Sequence, residues 1–361
     1  MNRVLVTGGA GFIGCNFVRA LLRSDDIHHI WTLDALTYAG DRENLVNLPA
    51  SARHNFVEGD ICDEELVGQL IRDHKIDTIV HFAAETHVDR SIAGPQAFVR
   101  TNVEGTLSLL EAARQVWLEE RGLGEEDCRF HHISTDEVYG SLEPEDPPFT
   151  EQTPYAPNSP YAASKAAADH LVRSYVNTHG LPATLSNCSN NYGPHQYPEK
   201  LIPVVLLNAI NGIPLPIYGD GQQIRDWLYV EDHSEALFEI LKKGRVGETY
   251  NVSAGVQITN LALVETICTL LDELVPGSHW APHRNLIEFV EDRPGHDRRY
   301  AMDSHKIRTE LEWQSHVGLE EGLRRTIQWY LDHPAWIARI RAKPDYQDWI
   351  HQHYSLRGEA A

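Results

Sequence analysis

The sequence predicts an α/β fold, a doubly wound parallel sheet followed by a smaller C-terminal lobe, and three observations carry that expectation. Over the first two-thirds of the 361 residues, short β-branched runs alternate with longer helical patterns, as βαβ units require. A glycine cluster stands directly after the first of these runs, where a strand must turn tightly into a helix. From about residue 191 the alternation gives way to Tyr192-Gly193-Pro194, Ile213-Pro214-Leu215-Pro216 and Tyr218-Gly219-Asp220-Gly221, which break the chain into short pieces.

The elements follow in order. A strand over 3–7 leads through the glycines to a helix over 12–22, and a second strand runs over 30–34. Strands at 55–58, 78–82, 130–134 and 183–187 alternate with helices at 63–73, 97–117 and 161–179. A sheet built this way offers ligand sites at the carboxyl ends of its strands. Residues 1–190 are expected to form the first domain and 191–361 mainly the second lobe. Within the latter, 227–242 as a helix and 248–252 as a strand are expected to return to the first domain.

Composition narrows the function. A formal net charge of −21 and a pI near 5.3, with no Lys/Arg run, exclude a nucleic-acid binder, which needs a basic footprint. The five cysteines (Cys15, Cys62, Cys128, Cys188 and Cys268) are widely spaced and form no C-x-x-C pair, so neither a disulfide framework nor a metal site is expected. No stretch approaches the roughly 18 apolar residues of a membrane span, and no signal peptide is expected, so the reading is a soluble, cytoplasmic protein.

The loop Thr7-Gly8-Gly9-Ala10-Gly11-Phe12-Ile13-Gly14 fits G-x-x-G-x-x-G through Gly8, Gly11 and Gly14. Glycines allow the tight turn and let backbone approach a pyrophosphate at a helix N-terminus. Asp34 lies 20 residues beyond Gly14 at the end of the second strand, where its carboxylate can bind the adenosine ribose and repel a 2′-phosphate. The first domain is therefore read as Rossmann-like with NAD as cofactor, and Asp60 and Ile61 after the third strand as adenine contacts.

Tyr161 and Lys165 make Y-x-x-x-K at the start of a helical stretch, so their side chains share a face. A neighbouring ammonium, with the positive nicotinamide nearby, is expected to pull the phenol from its usual value towards neutrality and make it a base for an alcohol. Ser134-Thr135-Asp136-Glu137-Val138-Tyr139-Gly140 stands at the end of a buried strand. Two adjacent acids raise each other's proton affinity, so one can serve as acid while the other serves as base. A diphosphate brought to so acidic a chain needs fixed cations, for which Arg225 and Arg293 are the candidates.

On these motifs, with Leu36-Thr37-Tyr38-Ala39-Gly40, Ala83-Ala84-Glu85-Thr86-His87-Val88-Asp89-Arg90-Ser91, Asn187-Cys188-Ser189-Asn190-Asn191-Tyr192-Gly193-Pro194, Pro198-Glu199-Lys200-Leu201-Ile202-Pro203, Gln223-Ile224-Arg225-Asp226-Trp227 and Asp292-Arg293-Pro294-Gly295-His296-Asp297, the chain resembles the nucleoside-diphosphate-glucose 4,6-dehydratases. These belong to the extended short-chain dehydrogenase/reductases. The discriminating motif is Thr135-Asp136-Glu137, since epimerases of the same fold usually lack the acid pair. The resemblance implies dTDP-glucose as substrate. It implies Tyr161, helped by Thr135, as base for the carbon-4 hydroxyl, Glu137 as base at carbon 5 and Asp136 as acid for the carbon-6 hydroxyl. It adds cofactor contacts at Phe12, Ile13, Leu36, Thr37, Ala83, Ala84, Thr101 and Asn191. Substrate contacts are implied at Thr86, Asn190, Lys200, Leu201, Pro216, Ile217, Tyr218, Asn260 and His296, besides Thr135, Arg225 and Arg293. A homodimer through a four-helix bundle, built from segments 97–117 and 161–179, is also implied. Thr86, Cys15 and His195 depart from the family's usual residues, and His195 could make a contact near the substrate loop pH-sensitive. The alternatives are a UDP-glucose 4,6-dehydratase or related nucleotide-sugar epimerase, and, from another class, a non-catalytic NAD-sensing protein.

Overall fold

The computed structural model describes residues 1–292, 296–344, 346 and 347. The first strands are β1 (Arg3–Thr7), β2 (His29–Asp34), β3 (His54–Glu58), β4 (Thr78–His81), β5 (Arg129–Thr135) and β6 (Ala183–Cys188). Then come β7 (Asn190–Tyr192), β8 (Leu215–Tyr218), β9 (Ile224–Tyr229), β10 (Thr249–Val252), β11 (Gln257–Thr259) and β12 (Ile287–Val290). The main sheet is parallel and runs β10-β6-β5-β4-β1-β2-β3. Its order reverses between β1 and β4, the crevice where doubly wound sheets bind ligands. The second lobe carries β11-β9-β7 and the parallel pair β12-β8.

Both faces of the main sheet are covered, as an all-parallel sheet requires. Helix α1 (Phe12–Arg23) buries Phe17, Val18, Leu21 and Leu22 on one face, each worth roughly 1.5–3 kcal/mol in apolar burial. On the other face lie α2 (Glu64–His74), with Asp63 capping Leu66 N, and the helical stretch after β4. That stretch comprises α3 (Val88–Ala93), α4 (Pro95–Phe98) and α5 (Gly105–Ala113). Where one regular helix over 97–117 was expected, π-helical turns at Val99–Glu104 and Arg114–Glu120 flank α5. Each π turn carries a residue more than an α turn, which apolar spacing does not reveal. Helix α6 (Pro160–His179) follows, capped by Ser159 Oγ accepting from Ala162 N at 3.1 Å.

The later helices are α7 (Leu201–Ile210), α8 (Val230–Lys243), α9 (Asn260–Leu274), α10 (His305–Leu311), α11 (Leu319–Asp332) and α12 (Pro334–Arg341). Helix α8 packs on α1, and β10 pairs with β6. The helix expected over 227–242 begins only at Val230, because residues 227–229 belong to β9 and pair with β7 in the second lobe. The chain passes from β9 to α8 without a turn residue, and an apolar run of that length fits either element. The second lobe has its own core, in which Leu206, Leu215, Trp227, Ile267 and Leu323 meet. Among the described residues no helix is long and apolar enough to cross a membrane.

Candidate active site

A cleft of about 340 Å³ opens over the carboxyl ends of β1, β4 and β5. Its first wall is the glycine loop. Gly8 has φ +68, a conformation that only glycine adopts freely, and a Cβ on Gly14 would stand 2.3 Å from Gly8 O. Helix α1 starts at Gly11, which offers no capping side chain, and no acid lies in its first turn. The N–H groups and positive end of the helix are thus presented to the cleft lined by Gly11, Phe12, Ile13 and Gly14, as an anionic ligand requires. Asp34 is fixed by backbone: Ala10 N donates to Oδ2 at 2.9 Å and Leu36 N to Oδ1 at 2.9 Å. Leu36 has φ +51 and acts through this N–H, for its side chain does not line the cleft. Thr37, Asp60, Ile61, Ala83, Ala84, Thr101 and Asn191 do line it.

The second wall is the end of β5. Thr135 Oγ1 accepts from Glu137 N and donates to Asp136 Oδ1, both at 3.3 Å, so one hydroxyl ties the two acids into a single turn. Asp136 is 2% exposed, and its Oδ2 has no hydrogen-bond partner. Burial, followed by Glu137 and Asp226, pushes its proton affinity well above the usual carboxylate range, against Arg225. That direction favours the protonated form of Asp136.

Opposite stands α6, whose Ser159 cap and Pro160 put Tyr161 and Lys165 on the first turns, with Tyr161 8% and Lys165 4% exposed. Lys165 Nζ donates to Ile133 O at 2.8 Å. The protein's own groups act on the phenol in the opposite direction to the expected joint pull of Lys165 and nicotinamide. Burial and then Glu137 push Tyr161 well above its usual value, opposed by the Thr135 hydrogen bond. A dry site next to a carboxylate penalises phenolate more than a lysine held on a carbonyl relieves it.

The remaining sequence-predicted residues divide. Thr86, Asn190 and Lys200 line the cleft, with Thr86 Oγ1 3.5 Å from Tyr38 OH and Asn190 Oδ1 buried without a partner. Leu201, Pro216, Ile217, Tyr218, Arg225, Asn260 and His296 do not line it and belong to the second lobe. There, Gln223 Nε2 donates to Asp292 at 3.0 Å, His296 Nδ1 lies 2.7 Å from Asp292 Oδ1, and Asn260 N donates to Gln223 O at 2.9 Å. Tyr218 turns its ring edge-on to His296. Ile217 alternates with Pro216 and Tyr218 along β8 and is buried in the lobe's core, so any contact it makes is through backbone. Arg225 donates to the Ile224 and Asp297 carbonyls at 2.8 and 2.9 Å, over the Tyr300 ring. Its charge also reaches Asp136, whose proton affinity it lowers. Arg293 lies outside the described residues.

His195 is not at the cleft. It packs on Trp329 and Trp336 with ring centroids 4.6 and 6.1 Å away, and burial lowers it to about 3, so it stays neutral rather than acting as a pH-sensitive contact. Cys15 Sγ donates to Phe12 O at 3.2 Å inside α1.

Comparison with known proteins places this geometry. Residues 5–326 match the profile of the GDP-mannose 4,6 dehydratase family. A dTDP-glucose 4,6-dehydratase of Salmonella typhimurium is 50% identical, over 98% of this chain and 99% of its own. The chain belongs to the dTDP-glucose 4,6-dehydratase family. A solved member from Streptomyces venezuelae, with NAD bound, superposes with a TM-score of 0.83 at 45% identity over 94% of this chain and 99% of its own. A UDP-glucose 4-epimerase of Thermotoga maritima gives 0.79 at 29% identity over 92% and 99%. The fold is therefore shared with epimerases, and the distinction within it has to come from the site.

For a dTDP-glucose 4,6-dehydratase family member, the single-residue reading missed Tyr38, Glu85, Cys188, Ser189, Gln196 and Tyr197, all of which line the cleft. Tyr38, Glu85, Cys188 and Ser189 sit inside quoted motifs, and reading those motifs as whole loops would have found them. Gln196 and Tyr197 carry no local signal.

Proposed function

We propose that this chain is a dTDP-glucose 4,6-dehydratase, converting dTDP-glucose to dTDP-4-keto-6-deoxyglucose and water with NAD retained in the cleft. The observation that carries the reading is that Thr135, Asp136, Glu137 and Tyr161 line the same cleft as the glycine loop and Asp34. Oxidation chemistry and elimination chemistry thus share one substrate position. The residues fit NAD: the uncapped start of α1 takes the pyrophosphate, and the Asp34 carboxylate, its backbone bonds leaving further lone pairs, takes the ribose diol. When bound, NAD supplies a hydride acceptor for carbon 4, a hydride donor for carbon 6 and a positive ring opposing the penalty on the Tyr161 phenolate.

In this reading Tyr161, hydrogen-bonded by Thr135, removes the carbon-4 hydroxyl proton. The resulting ketone acidifies the carbon-5 proton, which Glu137 takes. Asp136, protonated because it is buried beside Glu137, gives its proton to the carbon-6 oxygen, and that carbon–oxygen bond breaks to release water. Carbon 6 then gains hydride and carbon 5 regains a proton from Glu137; Tyr161 gives up its proton to solvent and Asp136 takes one back, so atoms and electrons balance with the cofactor and all three side chains restored. Lys165 holds the cofactor side of Tyr161. Thr86, Asn190 and Lys200 contact the sugar; Leu201, Pro216, Ile217 backbone, Tyr218, Arg225, Asn260, Arg293 and His296 serve the nucleotide end. Residues 1–190, with the chain returning within 227–252, form the cofactor domain, and the rest of 191–361 forms mainly the nucleotide-sugar lobe.

Incubation of purified protein with dTDP-glucose or UDP-glucose, without added NAD, tests the proposal through the ultraviolet absorbance of a 4-keto product in alkali. Product from dTDP-glucose is expected. An epimerase would give none, a UDP-specific enzyme would reverse the preference, and a sensor protein would turn over neither.

We further propose a homodimer built from segments 97–117 and 161–179. Two large apolar side chains of the first segment stand exposed, Val99 at 50% and Leu107 at 38%, and exposed apolar surface of this kind suits an interface. Sedimentation velocity is expected to give a dimer, and Val99→Glu, an exposed position, a monomer; a monomeric parent chain would end the proposal. The five cysteines are all free, which supports a reducing cytoplasmic location; a disulfide in protein isolated under thiol-blocking conditions would contradict it.

A further inference from the structure

We propose that Asp169 and His132 are positioning residues for Lys165, supplying the buried counter-charge and the acceptor that keep its ammonium fixed beside the reacting tyrosine. The inference rests on reading Lys165 as the partner of Tyr161. Its observation is independent of that reading: a closed polar cluster behind the cleft, in which each member is almost or wholly buried.

Lys165 and Asp169 are i and i+4 on α6 and share one face, at 4% and 0% exposure. Lys165 Nζ, besides its bond to Ile133 O, lies 3.3 Å from His132 Nε2. His132 Nε2 also lies 3.2 Å from Asp169 Oδ1. Asp169 Oδ2 accepts from Ser134 Oγ at 2.9 Å and from Tyr155 OH at 2.8 Å, and Arg173 Nη2 donates to Tyr155 OH at 2.7 Å. The carboxylate is thus clamped through Oδ2 from β5 and from the loop before α6, while Oδ1, with no hydrogen-bond partner, stands beside the imidazole. A buried carboxylate without partners would take up a proton; this one is held below its usual range by His132, Lys165 and Tyr155 against burial. Its charge is therefore available to the lysine.

His132 cannot be a second cation here. Burial and then Lys165 lower it to about 4. A neutral ring has one proton for two nitrogens, and Nδ1 has no hydrogen-bond partner. Nε2 can accept from Lys165 or donate to Asp169, one at a time, so the charged state of Lys165 selects the tautomer. The groups facing Lys165 are Tyr161 and Asp169 from α6, His132 from β5, His81 from β4 and Cys188 from β6. Among them Asp169 is the largest influence holding the proton on. Burial brings Lys165 down to about 8 and Asp169 opposes it. Loss of the Asp169 charge must lower it further, and the alkaline limb of activity, where the lysine loses its proton, must move to lower pH.

The test uses the holoenzyme with Asp169→Asn, Asp169→Glu and His132→Leu. For Asp169→Asn the alkaline limb of kcat/KM is expected to move down by about one pH unit or more, with a loss of about tenfold at pH 8 that shrinks towards pH 6. Asp169→Glu is expected to restore most of the limb, and His132→Leu to move it in the same direction by less. A second readout needs no turnover: ¹³Cε-lysine NMR, with Lys165→Met assigning the resonance, should show Lys165 titrating at lower pH in Asp169→Asn and in His132→Leu. Inactivity of the parent chain towards nucleotide sugars would overturn the function reading and leave this titration to be measured. A pH-independent loss of rate, with the Lys165 titration unmoved, would reduce the cluster to packing and overturn the proposal. Should Asp169→Asn fail to fold, His132→Leu decides by the same titration.

Discussion

Glu137→Gln is expected to lower turnover of dTDP-glucose by about 10²- to 10⁴-fold, the usual contribution of a positioned acid or base, while enzyme-bound NADH accumulates on mixing. The amide keeps the size and the hydrogen-bonding reach of the carboxylate but cannot take the carbon-5 proton. Thr135 still receives the backbone N–H of residue 137, so the turn that carries both acids stays formed. Carbon-4 oxidation needs Tyr161 and not Glu137, and loss of the negative charge that raises the phenol makes that first step no harder. Single-turnover absorbance of reduced nicotinamide should therefore rise at near-parent rate and persist. A variant that shows neither NADH nor product would remove Glu137 from the elimination step.

Tyr161→Phe is expected to fail earlier, with loss of about 10³-fold or more in kcat and no NADH transient. The ring stays in its contact with Phe98, so packing is retained and the hydroxyl alone is tested. KM should change little, because proton removal from carbon 4 is a transition-state interaction and not a binding one. The two variants are diagnostic as a pair. One separates the first chemical step from the second, and the other removes both. If they gave the same loss of NADH formation, the division of labour between phenol and carboxylate would be wrong.

The main sheet could be read from sequence because its strands are buried on both faces and appear as continuous β-branched runs, Val4-Leu5-Val6 and Thr78-Ile79-Val80 among them. The second lobe could not. Strands of three residues such as Asn190–Tyr192 and Gln257–Thr259 are too short to show a period, and the step from β9 into α8 has no punctuation. The glycine loop, Asp34 and the acid pair were legible because each is contiguous or follows a fixed spacing. Arg225 was legible as a cation but not in its place: only the fold brings it over Tyr300 and near Asp136. Asp169 and His132 left no trace either, since a carboxylate in a helix and a histidine in a strand become one cluster only after β5 and α6 have packed.

Only Ser189 separates β6 from β7, and the sheet that β7 joins belongs to the second lobe. Two bodies between which the chain crosses through one residue here, its backbone N–H bonded to Val252 O, and with none between β9 and α8, have little freedom to swing apart. An enzyme that recycles its redox partner within each catalytic cycle gains from such stiffness. The partner need not be recaptured from solution, and the slow step of its escape would be the opening of a joint that the strands keep shut.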